Sequence, residues 1–252
     1  MKHQNIVPLL GVTSTPLQLV SEWMPGGDLT EYVKKHPEVD RLELVCVSPP
    51  YRTMHLPSRK LRGVVDGLHY LHSNNVIHGD LRGVRDRSKS SSTIVLTPGQ
   101  SNILVDAIGR ARITDFDLGI VTQNLDTIQG AWVNQGHTAR WTAPEILNGE
   151  GTYSKQADVF SFAMVMIEVG YDPPPMCRAS TYTLIKVFTG AAPFNNRLTV
   201  AAMPAIMAAE RPPRPTHIAF TDSLWSLTQG CWDQDPHLRP EVSEVSKVLC
   251  DS

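Results

Sequence analysis

The 252-residue chain has no surplus of charge of either sign: 23 Lys and Arg stand against 25 Asp and Glu, a net charge of −2 with histidines neutral. That balance removes the basic footprint by which nucleic-acid and anionic-membrane binders collect their ligands. Long apolar runs are lacking too. The longest nearly unbroken one, Val159 to Ile167, falls well short of the roughly 20 residues a helix needs to cross a bilayer. After Met1 come Lys2, His3, Gln4 and Asn5, then an apolar stretch broken at Pro8, which makes a poor signal peptide. No membrane span and no nucleic-acid partner are expected, and the expected location is cytoplasmic. There are only four cysteines, Cys46, Cys177, Cys231 and Cys250, with no CxxC pair and no metal-ligand spacing. They read as reduced thiols. At 41% hydrophobic and 19% charged residues, the composition is that of a globular chain able to bury a core.

Patterning divides the chain into recognisable elements. Two apolar segments, Val7 to Val12 and Leu17 to Val20, flank Thr13 to Pro16 as a strand, a turn and a strand. Asp28 with Glu31 three residues on predicts a capped helix start. Val64, Val65, Leu68 and Leu71 continue the spacing begun at Leu61 and predict one buried helix face. Ile103 to Val105 and Ala111 to Ile113 flank Asp106 and Gly109 as a small hairpin. Asp115 to Glu145 is long, polar and aperiodic, the mark of a functional loop. Asp158 to Glu168 is apolar almost all round and predicts a helix buried on every side. Further helices are expected around Leu198 to Ala209, Thr221 to Trp232 and Glu241 to Leu249, the first kinked or broken by Pro204. His69 and His72 read as packing or surface histidines, and Met164, Met166 and Phe162 as core.

The chemistry lies in an ordered set of landmarks: His78-Gly79-Asp80-Leu81-Arg82-Gly83, then Asn102, then Asp115-Phe116-Asp117, then Ala143-Pro144-Glu145. Three oxygen-donor side chains in one cleft suit a hard cation and the positioning that phosphoryl transfer needs. In this order the residues resemble the C-terminal lobe of a eukaryotic protein kinase, nearest the tyrosine-kinase-like serine/threonine group. The resemblance covers nearly the whole chain and implies an α+β, mainly α, kinase-like fold: a helical C-lobe with a remnant of the N-lobe sheet. It places an N-lobe remnant at 1–20, the hinge at 21–28 and the C-lobe at 29–252. Its implied activity is transfer of the γ-phosphate of MgATP to Ser or Thr of protein substrates in signalling, with ATP and Mg²⁺ as the implied cofactors.

Residue by residue, the resemblance implies that Asp80 accepts or orients the substrate hydroxyl proton, with Arg82 beside it in the catalytic loop. Asn102 and Asp115 are implied as the Mg²⁺ ligands. Ser21 stands at the gatekeeper position, the backbone of Glu22 and Met24 would meet adenine, Asp28 could reach the ribose, and Leu104 would floor the adenine pocket. Arg140 to Glu145 looks like the end of an activation segment. Glu145 and Arg239 resemble a buried ion pair, and Asp158 the helix carboxylate that braces the catalytic loop.

Departures from the family pattern carry expectations of their own. No glycine-rich phosphate loop, no V-A-I-K-like strand and no partner glutamate precede Glu22, so the chain by itself is expected to be severely impaired. Gly79 stands where many kinases have Arg, so a phosphate on Thr122, Thr127 or Thr138 would find no basic group beside Asp80 to neutralise. Asp117 replaces the glycine that follows the Asp-Phe pair.

Three segments also interrupt the pattern. Between the catalytic Asp and Asn the family has four residues; here 21 intervene. Excising 84–100 restores Asp80-Leu81-Arg82-Gly83-Ser101-Asn102. Excising 45–60 joins Leu44 to Leu61 as one helix, and excising 169–186 joins Glu168 to Val187. Each segment begins with Val, whose codons start GT, and ends with Lys or Gln, which have codons ending AG. Together they hold eight of the 23 basic residues and two of the 25 acidic ones, leaving a remainder of net charge −8. These features point to translated introns, against the alternative of surface loops whose closure costs little.

Two other functions share part of this pattern. A small-molecule phosphotransferase also carries a His-Gly-Asp and a later Asp-x-Asp, but has no use for Arg140 to Glu145. A kinase-like scaffold, or a defective gene-model product lacking the N-lobe, would account for the missing phosphate loop but not for retention of Asp80, Asn102 and Asp115. Expressed transcripts sequenced across Leu44/Val45, Gly83/Val84 and Glu168/Val169 are expected to lack the three segments. Peptides spanning Ser90 to Thr97 in the native protein would contradict that.

Overall fold

The structure, a computed structural model, describes residues 2–15, 17–36, 63–83, 101–115, 139–170, 192–215 and 220–251. The segments 45–60 and 84–100 and nearly all of 169–186 lie outside the described residues, as do Asp117 and the three threonines named above.

Strands β1 (Leu9–Ser14) and β2 (Leu17–Ser21) form an antiparallel hairpin, with Leu9 opposite Ser21 and Ser14 opposite Leu17. The first strand starts two residues later than patterning predicts. The reason is that the Val7 amide donates to the Ile113 carbonyl at 2.9 Å, and the Ile113 amide to Asn5 at 2.8 Å, so this stretch is pinned to another sheet. That sheet is β3 (Gly27–Asp28), β4 (Ile103–Val105) and β5 (Ala111–Ile113), all antiparallel. Leu9, Leu10, Val12, Leu19 and Val20 of the hairpin are exposed.

Helix α1 (Leu29–Lys35) begins where expected: the Asp28 carboxylate accepts from the Glu31 amide at 2.8 Å, satisfying a donor that the helix itself cannot. Helix α2 (Val64–Ser73) buries Val64, Val65, Leu68 and Leu71. It ends in a Schellman turn. Asn75 takes a φ of 57°, its amide donates to His72 and the Val76 amide to Leu71. Asn tolerates the left-handed conformation better than most residues, and the turn sends Val76 to His78 back into the core.

The remaining helices are α3 (Pro144–Leu147), α4 (Lys155–Gly170), α5 (Thr199–Met207), α6 (Asp222–Cys231) and α7 (Val242–Asp251), with a 3₁₀ turn at Pro236–Leu238. Helix α3 occupies the end of what the sequence suggested was loop, with Pro144 preset for a first helical position. Pro204 does not break α5: it is exposed inside the helix, and the Ala208 amide still reaches its carbonyl at 2.9 Å.

Helix α4 is the centre of the core. From Val159 to Ile167 all but Ser161 are apolar, and each of the nine is buried, so no face is left for water. It packs against α6 and the 3₁₀ turn, while α2 packs against α7 and β5. Cys231 is a buried free thiol, pushed up to about 12 by burial.

Across the helical layer Arg239 meets Glu145 in a two-pronged pair, Nη1 to Oε1 and Nη2 to Oε2, each at 2.7 Å. The Arg239 side chain is 0% exposed and that of Glu145 15%. The other donors reach the carbonyls of Asp233 and Gln156, and the guanidinium lies 5.1 Å from the Phe160 ring centroid. Because both charges are spent on each other, removing one strands its partner away from water. Glu145→Ala is expected to destabilise the fold by about 3–5 kcal/mol in urea unfolding, and Arg239→Lys to lose much of that through the second prong. A cost below about 1 kcal/mol for Glu145→Ala would contradict the pairing.

Candidate functional site

Three short pieces of chain converge between α2 and α4: the loop 76–83, the start of β4 at Ser101-Asn102, and Thr114-Asp115 after β5. His78 is completely buried and ties two of them together. Its Nε2 lies 2.9 Å from the Thr114 carbonyl and its Nδ1 3.1 Å from the Asp80 amide. A carbonyl only accepts and an amide only donates, so this geometry suits a proton on Nε2 and an accepting Nδ1.

Asp158, on α4, carries the loop's entry. Its carboxylate accepts from the His78 amide at 2.9 Å and the Gly79 amide at 2.8 Å, and His72 Nε2 approaches Oδ2 at 2.8 Å. Both Asp158 and His72 are buried. Gly79 itself has a φ of +78°, where a side chain would be strained, and a Cβ there would touch the Tyr153 ring at 3.4 Å. The chain therefore passes this point without the strain an arginine would bring.

Asp80 sits at the centre. Asn102 Nδ2 donates to its carbonyl at 2.6 Å and to its Oδ2 at 2.8 Å, and Arg82 Nη2 lies 3.2 Å from the same Oδ2. Burial raises the Asp80 carboxyl above the ordinary carboxylate range; Arg82 and Asn102 pull the other way, and the charge of Asp115 adds to the rise. Asn102 Oδ1 is buried with no partner among the described residues. An amide oxygen held dry and unbonded is costly, and a hard cation is the kind of group that would relieve it. Asp115 is exposed nearby with a φ of +58°, and the Thr114 amide donates to the Asn102 carbonyl at 3.0 Å. Among the described residues no three His, Cys, Asp or Glu side chains gather as a closed metal cage.

The structure thus brings Asp80, Arg82, Asn102, Asp115 and Asp158 together. Asp28 and Leu104 are paired across β3 and β4, with Leu104 half-buried. Met24 is buried and its carbonyl accepts from the Gly27 amide at 3.1 Å; Ser21 and Glu22 are exposed, and the Glu22 amide donates to the Pro8 carbonyl at 3.0 Å. Glu145 and Arg239 lie apart from this cluster, in the pair already described.

Three residues make contacts that sequence reasoning missed. His72 is buried, as a packing histidine would be, and also meets Asp158. Arg140 spans to the segment before α5, donating to the carbonyls of Pro193, Phe194 and Arg197 at 2.6–2.8 Å and approaching Thr199 Oγ1 at 3.3 Å. Glu168, buried near the end of α4, accepts from the Gly83 amide at 3.1 Å and from Trp141 Nε1 at 3.2 Å. A lone His, Arg or Glu on an otherwise regular pattern gives no sign of such partners.

The raised Asp80 carboxyl has a consequence for stability. Its proton is held more tightly in the fold than in the unfolded chain. Ionisation therefore costs stability, fully above the folded pKa and not at all below the unfolded one. Asp80→Asn is expected to raise the melting temperature at pH 7, by an amount that shrinks as pH falls through the carboxylate range. Melting curves of both proteins from pH 4 to 8 measure it, and a gain that grows toward low pH would contradict the burial argument.

Comparison with known proteins agrees with the geometry. The family model for protein tyrosine and serine/threonine kinases matches residues 1–85 and 99–249. The serine/threonine-protein kinase STY17 of Arabidopsis thaliana is 28% identical, over 99% of this chain and 35% of its own length. The serine/threonine/tyrosine-protein kinase HT1 of the same plant is 28% identical over 98% of the chain and 50% of its own length. The mitogen-activated protein kinase kinase kinase mkh1 of Cytospora mali is 26% identical over 97% of the chain and 11% of its own length. The chain therefore spans half or less of the length of these relatives. With its α+β fold, its converging loop, strand and segment, and a match over most of its length, the chain belongs to the protein tyrosine and serine/threonine kinase family.

Proposed function

We propose that the chain is the catalytic part of an ATP-dependent protein kinase, which transfers the γ-phosphate of ATP to Ser or Thr hydroxyls of protein substrates in cytoplasmic signalling. The observation that carries this reading is the Asp80–Asn102 pair. One amide group holds the candidate base by two bonds and leaves its buried oxygen without a partner among the described residues, while the charge of Asp115 is felt at Asp80.

In this reading Asp80 orients the substrate hydroxyl and takes its proton as the oxygen attacks the terminal phosphorus. Its raised pKa favours that acceptance more than an ordinary carboxylate's would. Arg82 holds Asp80 through Nη2 and offers a positive charge beside it. Asn102 Oδ1 and Asp115 would hold Mg²⁺, which when bound neutralises charge on the phosphate oxygens. Ser21 would be the gatekeeper. The Glu22 carbonyl and the Met24 amide, the groups left over from the bonds to Pro8 and Gly27, would meet adenine. Leu104 would floor that pocket, and Asp28 would stand near the ribose while capping α1. Relatives named as serine/threonine kinases favour Ser and Thr as acceptors.

Segment 84–100 is read as an insertion into this machinery. In support, the Asn102 amide donates to the Arg82 carbonyl at 3.1 Å, so the two sides of the insertion are already joined. The family match also omits 86–98, although it runs through 45–60 and 169–186.

Transfer of phosphate from MgATP to a protein acceptor, with phosphoserine and phosphothreonine separated from phosphotyrosine, tests the reading. The native protein, with any chain that precedes residue 1, is expected to phosphorylate Ser or Thr, whereas the chain by itself is expected to be severely impaired. Asp80→Asn should lower kcat by about 10²–10⁴-fold with the KM for ATP little changed. No transfer by the native protein, or full activity of the variant, would overturn it.

A further inference from the structure

Helix α4 presents buried polar groups along one face, at Asp158, Ser161 and Glu168. Asp158 holds the entry of the catalytic loop. Ten residues later, about 15 Å along the helix axis, Glu168 holds its exit. The Gly83 amide and the Trp141 indole N–H both donate to the same oxygen, Glu168 Oε2, at 3.1 and 3.2 Å. Trp141 is in turn fixed from the other side, its carbonyl accepting from Ser161 Oγ at 2.8 Å. Neighbouring Arg140 clamps the segment before α5.

The position is an expensive one for a carboxylate. Glu168 is 1% exposed and lies near the C-terminal end of a 16-residue helix, where the helix dipole opposes negative charge. Leucine would fill the space at lower cost. The carboxylate also bears on its neighbour: a Cβ on Gly83 would lie 2.6 Å from Oε2, so a side chain there would push the carboxylate aside.

We infer that Glu168 is a positioning residue that registers the catalytic loop against the segment ending at Trp141-Thr142, by bonding Gly83 and Trp141 through one carboxylate oxygen. The inference rests on the kinase reading for its functional consequence: the loop would carry the phosphoryl chemistry, and Arg140 to Glu145 resembles the end of an activation segment, against which a peptide acceptor would lie. The bond network itself does not depend on it. Asp80 and Arg82 lie between the two anchors, at the entry and the exit. Loosening the exit alone leaves the entry pinned by Asp158, and so disturbs peptide alignment more than nucleotide contact.

The test compares Glu168→Gln, Glu168→Leu, Trp141→Phe and the Glu168→Leu/Trp141→Phe double variant in two measurements. In peptide phosphorylation, Glu168→Leu is expected to raise the peptide KM by about tenfold and lower kcat, with the KM for ATP within about twofold. Glu168→Gln, which keeps volume and one acceptor oxygen, should recover much of the loss. Trp141→Phe should raise the peptide KM in the unaltered background and add nothing beside Glu168→Leu. Equal changes in both KM values, or additive effects in the double variant, would overturn the inference.

The second measurement is exchange of the Gly83 amide and the Trp141 indole proton by NMR. Both are expected to accelerate in Glu168→Leu, and to a lesser degree in Glu168→Gln should the leucine variant not fold. Trp141→Phe should accelerate Gly83 only where Glu168 is present. Unchanged exchange at either proton would overturn the inference. If the native protein transfers no phosphate, the kinase reading fails and the exchange data still decide the role of Glu168.

Discussion

Everything at the site depends on one buried carboxylate, Asp158. It is fixed on a helix that has no exposed apolar face to turn away, and it accepts two backbone amides from consecutive residues of a loop that lacks regular structure. Backbone amides of such a loop must be paired when buried, and here the partner comes from α4 instead of a sheet or helix ladder. His72 on α2 adds a third contact to the same carboxylate, so the loop is held at the junction of two helices. Once His78 and Gly79 are pinned, the His78 ring reaches Thr114 on one side and the Asp80 amide on the other. Asp80 then has one position, and Asn102 and Arg82 complete it.

This arrangement costs stability and spends it on order. The Asp80 carboxyl is pushed up by burial, Asn102 keeps a dry oxygen without a partner among the described residues, and Asp115 takes a positive φ. None of these improves the fold. Local strain and unsatisfied groups concentrated at one cleft are what a preorganised site shows, because the groups that receive substrate cannot also be satisfied in its absence. The surrounding helical layer supplies the compensation, through the buried apolar side chains of α4, the Glu145–Arg239 pair and the two guanidiniums of Arg211 and Arg239 at 5.3 and 5.1 Å from the Phe160 ring centroid.

Much of this was legible in the sequence wherever a local rule decides the outcome. Asp28 and Glu31 announce a cap, the unbroken run from Val159 announces a helix buried all round, and the turn at Asp106 to Gly109 announces a hairpin. The order of Asp80, Asn102 and Asp115 announced which residues would meet, even across 21 intervening positions. What stayed hidden depends on partners remote in sequence. Arg140 binds carbonyls, which every residue has, so nothing in residues 193–197 marks them as its targets. Glu168 looks like one more helix residue until Gly83 and Trp141 are seen beside it. The start of β1 shifted because Val7 bonds Ile113, 106 residues away, and no local period reports such a bond. Pro204 misled in the opposite direction: it lies inside α5 and the helix continues past it.

Asp158 organises the loop 76–83 from α4, and amide exchange in an Asp158→Asn variant tests this most directly. The account predicts that the His78 and Gly79 amides exchange at least about a hundredfold faster than in the unaltered protein, while the amides of α2 and α6 keep their protection. Exchange at His78 and Gly79 as slow as before, in a folded variant, would contradict it.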